Sequence, residues 1–287
     1  MPIYPRKNFG GDFIIFHPSD FSPASELAFA HALKIALQSK AKLDIMHVEP
    51  HLNLAEEYWL NFPGIRSTLA RWGILPTGAR REAVAKAGLR IRKILTGGLD
   101  PVDSMLRHFR KFRPHLIVLA THQRDGLARW MHKPVAEPLA RKSGAMTLFI
   151  APQGRGFVSL DDGRVNLKRI LVPVDQDPHP QLAIEKASML AQGMGCVGAE
   201  FRLLHVGRST TMPMSELPPI PGSSYDTVIR QGNILNEILR AEQEWQADLL
   251  VLATRGHLDF LDALRGSTTE RVVRGARCPV LAVPARS

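Results

Sequence analysis

Apolar positions along this chain fall into short unbroken runs separated by helical patterns. Residues 115–121 read His-Leu-Ile-Val-Leu-Ala-Thr and residues 248–254 read Asp-Leu-Leu-Val-Leu-Ala-Thr. Each is a continuous apolar run of strand length, the pattern of a strand buried on both faces. Two further runs, Phe13 to Asp20 and Ile170 to Asp175, end in Pro-Ser-Asp and Pro-Val-Asp. Helical patterns follow at Pro23 to Gln38 and Pro180 to Gln192, where a proline suits the first turn because its missing N–H is not needed there. Second strands are expected at Lys42 to Val48 and Glu200 to Val206, both ending in His-Val. Third strands are expected at Leu89 to Leu95 and Asp226 to Arg230, and third helices at Pro101 to Phe112 and Asn233 to Gln246. Each half closes on another apolar run, Met146 to Pro152 and Pro279 to Pro284.

The order strand, helix, strand thus occurs twice. An offset of 133 aligns the fourth strands and keeps Glu137 in step with Glu270. A period of about 140 residues is a domain duplication rather than a solenoid. The predicted boundaries are 1–152 and 167–287, joined by a linker at 153–166 rich in Gly, Asp and Arg. Alternation of strands and helices predicts an α/β fold, two tandem doubly wound domains, each a five-stranded parallel sheet covered on both faces. Ligands of such sheets bind beyond the carboxyl ends of the strands, where strand order reverses.

Composition narrows the class without naming it. Hydrophobic residues are 45% of the 287 and charged residues 22%, which excludes disorder, collagen and coiled coil as global readings. No run of 18 apolar residues suggests a membrane helix, and the early run Phe13-Ile14-Ile15-Phe16 is too short for a signal-peptide core. Cys196 and Cys278 form no CxxC pair, so a reduced, cytoplasmic setting is expected, with both as small core residues. The net charge is +10, and its distribution matters more than its size. Residues 1–150 hold 22 Lys and Arg against 12 Asp and Glu, whereas residues 151–287 hold 15 of each. The window 66–113 alone carries 12 basic and 3 acidic residues. Arg107, Arg110 and Lys111 share a helix face there, and Arg90 and Arg92 one face of a strand. Such a patch suits a polyanion, but no RNA-binding aromatic signature or helix-turn-helix pattern accompanies it, which argues against nucleic acid.

Candidate chemistry gathers at the strand ends of the second half. Asp175 closes the first strand, where a carboxylate accepts from a ribose hydroxyl or an adenine amino group. Gly256, Gly266, Ser267 and Thr268 follow the fourth strand and lead into a helix from Ser267 to Arg274. Glycines let backbone approach a ligand closely, and a helix N-terminus with hydroxyl residues is a ready anion site. The same residues also serve a plain N-cap and turns. No P-loop, GxGxxG or GxSxG motif occurs, and the eleven histidines form no HExxH or zinc-spaced cluster. His47 and His205 sit at equivalent strand ends, where structural hydrogen bonding is the expected role. Tyr58, Trp59, Phe62 and Trp72 crowd the segment 51–76, which predicts packing over the sheet or against a partner.

Nearly the whole chain resembles a tandem universal stress protein. In the second half the matching pieces are Leu171 to Asp175, Leu203 to Val206, Leu250 to Gly256, Gly266 to Val273 and Cys278 to Pro284. In the first half they are Phe21 to Ser25, His47-Val48, Ala120 to His122 and Gly126-Leu127. The resemblance implies a Rossmann-like α/β sandwich of the adenine nucleotide alpha hydrolase type, with the two halves packed as a pseudo-dimer through their last strands. It implies ATP in the second half, with Asp175 on the nucleoside, backbone at Val206 on adenine, and Gly256, Gly266, Ser267 and Thr268 on the phosphates.

The loops depart from the family's pattern of Gly, two residues, Gly, six or nine residues, Gly, then Ser or Thr. Asp259 stands at the middle glycine, and at ~4 Å its charge would cost a phosphate about 1–4 kcal/mol, tenfold to a thousandfold in affinity. Mg²⁺ would reverse that sign by bridging the two. In the first half Gln123, Lys133 and Pro134 replace two glycines and the serine, and Pro134 has neither N–H nor hydroxyl to offer. The expectation is therefore a stress-response protein that binds adenine nucleotide in its second half without dedicated catalysis, through which it regulates an unknown protein partner. A homodimer is compatible with this, and no membrane is involved. The alternatives are a nucleotide-independent interaction protein working through the basic face, or a weak ATPase.

Overall fold

The computed structural model describes residues 12–49, 61–121, 135–151, 154–255 and 268–285. In the first half, strand β1 (Ile14–Pro18) leads to helix α1 (Pro23–Ser39) and β2 (Lys42–Glu49). Short helices α2 (Ile65–Arg71) and α3 (Arg81–Lys86) precede β3 (Arg90–Gly97), α4 (Pro101–Lys111), β4 (Leu116–Ala120), α5 (Ala136–Ser143) and β5 (Met146–Ile150). The second half repeats the scheme with β6 (Arg169–Pro173), α6 (Gln181–Gly193), β7 (Glu200–Val206), β8 (Ser224–Arg230), α7 (Ile234–Trp245), β9 (Leu249–Thr254), α8 (Thr268–Gly275) and β10 (Val280–Pro284).

Local chemistry sets the helix starts. Ser22 caps α1 by accepting from Ser25 N at 3.2 Å, with Pro23 in the first turn. Asp100 caps α4 by accepting from Asp103 N at 3.1 Å, and Asn233 caps α7 by accepting from Asn236 N at 3.2 Å. Each cap satisfies one of the orphan N–H groups of a first turn. Helices α1 and α7 end at Lys40 and Gln246 in the left-handed region, φ 55° and 56°, a conformation that closes the last turn.

All ten strands join one sheet in the order β3-β2-β1-β4-β5-β10-β9-β6-β7-β8. Neighbours run parallel except at the seam, where β5 and β10 pair antiparallel with Leu148 opposite Leu281. Strand order therefore reverses once in each half, between β1 and β4 and between β6 and β9. The fourth and fifth strands are buried along nearly their whole length, as their unbroken apolar character predicts.

Two cores lie on opposite faces of the sheet and both run across the seam. One packs α1 and α6, with Phe29, Leu33, Ile184 and Leu190 fully covered. The other packs α4, α5, α7 and α8, with Met105, Leu139, Ile238 and Val272. A salt bridge from Arg274 on α8 to Glu137 on α5, 3.1 Å, ties the halves on that second face.

The segment expected to link the halves is itself packed. Phe157 and Val158 are 1% and 2% exposed within the first core. His31 of α1 holds them: Nδ1 donates to the Leu27 carbonyl at 2.8 Å, so Nε2 is a free acceptor and takes the N–H groups of Phe157 and Val158 at 3.0 and 3.2 Å. Trp72 Nε1 donates to the Leu160 carbonyl at 3.0 Å. Phe62 and Trp72 are buried as the aromatic cluster predicts; Tyr58 and Trp59 lie outside the described residues.

Candidate functional site

Beyond the carboxyl ends of β6 and β9, where strand order reverses, lies a cleft of about 300 Å³. Its floor is apolar, made by Val174, Leu204, Val206, Ile238 and Leu252. Its rim is polar, with Asp175, Asp177, Thr254, Arg255, Thr268 and Thr269. Asp175 is exposed, and Oδ1 accepts from Gln176 N at 2.8 Å. The peptide groups of β7 alternate in direction: Glu200 N donates to Lys168 O at 2.7 Å and Leu204 O accepts from Val174 N at 2.8 Å. Even-numbered residues thus face β6, which ends at Pro173 opposite Leu204. The N–H and C=O of Val206 therefore project past the end of β6 into the cleft.

Two residues of the site carry no role in the sequence reading. Thr254, the last residue of β9, is 4% exposed, and its Oγ1 finds no hydrogen-bond partner among the described residues. A buried hydroxyl without a partner costs about 1–3 kcal/mol. Arg255 follows it at the mouth of the cleft, where Nη2 bonds Asp177 Oδ2 at 2.8 Å. The signal for both was positional, since they terminate the strand next to the reversal point.

His205 takes the structural role expected of it. Nδ1 donates to the Val174 carbonyl at 3.0 Å and Nε2 lies 2.9 Å from Thr211 Oγ1. His47 donates in the same way to the Ser19 carbonyl at 2.7 Å. Of the residues proposed from sequence, Asp175, Val206 and Thr268 line one cleft. Gly256, Gly266 and Ser267, with Asp259, lie outside the described residues, as do Gln123, Lys133 and Pro134 of the first half.

The equivalent space in the first half is about 40 Å³. Met46 and Met105 stand where the second half has Leu204 and Ile238, and both are at most 2% exposed. Val135 and Ala136 replace Thr268 and Thr269. Asp20 is engaged too: Oδ1 accepts from Ser22 N at 3.0 Å and from Ser22 Oγ at 2.6 Å. Behind it, His17 is fully buried, donates through Nδ1 to Val118 O at 2.9 Å, and is pushed down to about 4 by burial.

The basic window is partly tied down. Arg92 forks onto Asp44 at 3.0 and 2.5 Å and lies 3.7 Å over the Phe112 ring. Burial pushes the Asp44 carboxyl up, but His108 and Arg92 outweigh it and hold the group below the usual carboxylate range. Arg107 is bonded to Ser104 at 2.8 Å. Among the described residues no three His, Cys, Asp or Glu side chains converge as a metal site, and no helix is long and apolar enough to cross a membrane. Both cysteines are free thiols: Cys278 is buried, and burial pushes the half-buried Cys196 up to about 11, which disfavours its thiolate.

Comparison with known proteins agrees with the repeated topology. The profile of the universal stress protein family matches residues 14–150 and 215–284. The chain belongs to the universal stress protein family. A universal stress protein of Methanocaldococcus jannaschii is 39% identical over 62 residues, which span 22% of this chain and 36% of that protein's length. Among solved structures, a universal stress protein from Archaeoglobus fulgidus is 17% identical, with a TM-score of 0.62 over 96% of this chain and 97% of that one. A functionally unknown protein of Pseudomonas aeruginosa is 15% identical, with a TM-score of 0.62 over 95% and 92%. At these identities the two structures share the fold of this universal stress protein.

Proposed function

We propose that this universal stress protein binds an adenine nucleotide in its second half, as a binding module of the cytoplasm rather than an enzyme. The observation that carries the reading is the contrast between the two clefts. One, about 300 Å³, holds a buried Thr254 hydroxyl with no hydrogen-bond partner among the described residues; its counterpart is about 40 Å³, with Met105 in its lining. An apolar floor suits a base, the Asp175 carboxylate suits a ribose hydroxyl, and the α8 N-terminus with Thr268 suits phosphate. Arg255 supplies a cation against the charge of Asp175 and Asp177. In this reading residues 1–152 and 167–287 are the two units, Gly256, Gly266 and Ser267 complete the phosphate loop, and occupancy alters the binding of a protein partner.

A thermal-shift titration with Mg-ATP tests it. A ligand bound only to the folded state adds about 2.7 kcal/mol at a hundredfold excess over Kd. The wild type should gain stability, and Asp175→Ala or Ser267→Ala should gain much less. Equal gains in all three, or none in the wild type, would sink the nucleotide reading. Phosphate release above background would move it toward the weak ATPase.

A further inference from the structure

From Arg66 to Lys93 the chain holds eight Lys and Arg and one carboxylate, Glu82. We propose that Arg66, Arg80 and Lys93 form an anion site beside the β3 edge, separate from the cleft between β6 and β9, and that it takes a short phosphate chain. Lys93 is half-buried on β3, opposite Ile45 of β2. Its ammonium lies 5.5 Å from the centre of the Phe62 ring, which is itself buried in the first core. Arg66, exposed on α2, donates from Nη1 to the Ala79 carbonyl at 3.2 Å. That bond lays the backbone just before the exposed Arg80 against Arg66. None of the three cations makes a salt bridge among the described residues. By contrast, Arg71 is paired with Glu26 and Arg92 with Asp44. Glu49, which shares a face of β2 with Ile45, is turned to His47 Nε2 at 3.4 Å.

The arrangement is costly without an anion. A lysine laid on a buried ring gives up part of its hydration, which disfavours its charge. Burial therefore pushes the Lys93 ammonium below its ordinary range, and the like charge of Arg66 pushes it the same way. An anion set between the two relieves both penalties. Guanidinium groups present fixed N–H forks that match phosphate oxygens, and the lysine adds a point charge. Three positive charges call for a ligand with several negative ones, which linked phosphates supply and a single carboxylate does not. Free inorganic oligophosphate and the tail of a nucleotide both offer that chemistry. The cluster belongs to one half alone. His47 and His205 are equivalent, which sets Ile45 level with Leu203, and Leu203 is paired on β8 with Thr227. A neutral hydroxyl thus stands where the first half has Lys93.

The test is a calorimetric titration of the full chain with inorganic tripolyphosphate at low salt. The wild type should bind it, and Arg66→Gln and Lys93→Met should each weaken binding about tenfold or more. Lys93→Met keeps an apolar stem on Phe62 while removing the charge. Arg66→Gln, at an exposed position, carries the test should Lys93→Met fail to fold. Arg110→Gln removes an equal charge from an exposed position on α4, over the other face of the sheet, and should bind as the wild type does. Binding should also persist in Ser267→Ala, which impairs the cleft of the second half. In that variant, ATP binding that Arg66→Gln then abolishes names a nucleotide tail as the occupant, and tripolyphosphate binding without ATP binding names the free chain; both keep the site. Binding lost in Ser267→Ala but kept in Arg66→Gln would put the anion in the cleft. Equal weakening by Arg110→Gln would reduce the effect to net charge. Either result, or no binding by the wild type, overturns the proposal.

Discussion

Single residues in this protein are held where water would otherwise compete. His31 and His17 are fully buried, and burial pushes each down to about 4 from an ordinary value of 6.5. Both must be neutral in the folded state. His31 Nε2 accepts two backbone N–H groups, which a protonated ring cannot do. The folded values lie below the unfolded one, so the contribution is complete above pH 6.5 and is lost as pH falls toward 4. At about 1.4 kcal/mol per pH unit, each histidine accounts for roughly 3 kcal/mol across that window. Chemical denaturation at a series of pH values should show this loss, and His31→Gln should flatten it by about one proton while lowering stability at pH 7. Thr254 gives the opposite case. Thr254→Val removes a buried hydroxyl that has no partner among the described residues, so the ligand-free protein should gain about 1 kcal/mol or more. If the hydroxyl serves the nucleotide, the same variant should gain less from Mg-ATP in a thermal-shift assay.

At the scale of elements, the segment between the halves behaves as part of the first core. Gly163 sits at φ +65°, and a Cβ there would lie 2.5 Å from the Trp72 ring. Gly195 has a similar φ, +71°, with nothing within 4 Å of a Cβ. Gly163→Ala and Gly195→Ala should therefore share a backbone cost of about 1–2 kcal/mol. Only Gly163→Ala should add an overpacking cost of about 1–3 kcal/mol. Urea denaturation of the two variants separates these contributions, and equal losses would mean that the segment does not pack on Trp72. This packing was only partly legible. Phe157, Val158 and Leu167 announce burial, but Gly, Asp and Arg around them read as a tether. The acceptor that secures the turn, His31, lies 126 residues away.

At the scale of the molecule, the seam turns two halves into one sheet. Leu148 and Leu281 face each other across it, 0% and 2% exposed, and both cores cross it. Leu281→Ala should cost about 2–5 kcal/mol. Because the residue is shared, calorimetry should show the halves unfolding at separate temperatures rather than together. A single undivided transition at lower temperature would mean that the halves do not stand alone once the seam is weakened. The Arg274–Glu137 bridge is partly exposed, and its loss should cost under about 1 kcal/mol.

The ten strands and the duplication are legible along the chain, whereas the order of the strands, with its reversals between β1 and β4 and between β6 and β9, belongs to the fold. A strand covered on both faces must be apolar throughout, and that pattern survives in one dimension. The sequence also placed Asp175, Val206 and Thr268 at strand and helix ends that meet in space. The structure adds the sizes of the two clefts, about 300 Å³ in the second half and about 40 Å³ in the first. Cavity volume depends on side chains from several elements at once, and no single stretch of the chain records it. The same holds for the orphan hydroxyl of Thr254 and the partners of Arg92 and Arg255. Each depends on a distance between residues far apart in the chain, which no spacing along it records.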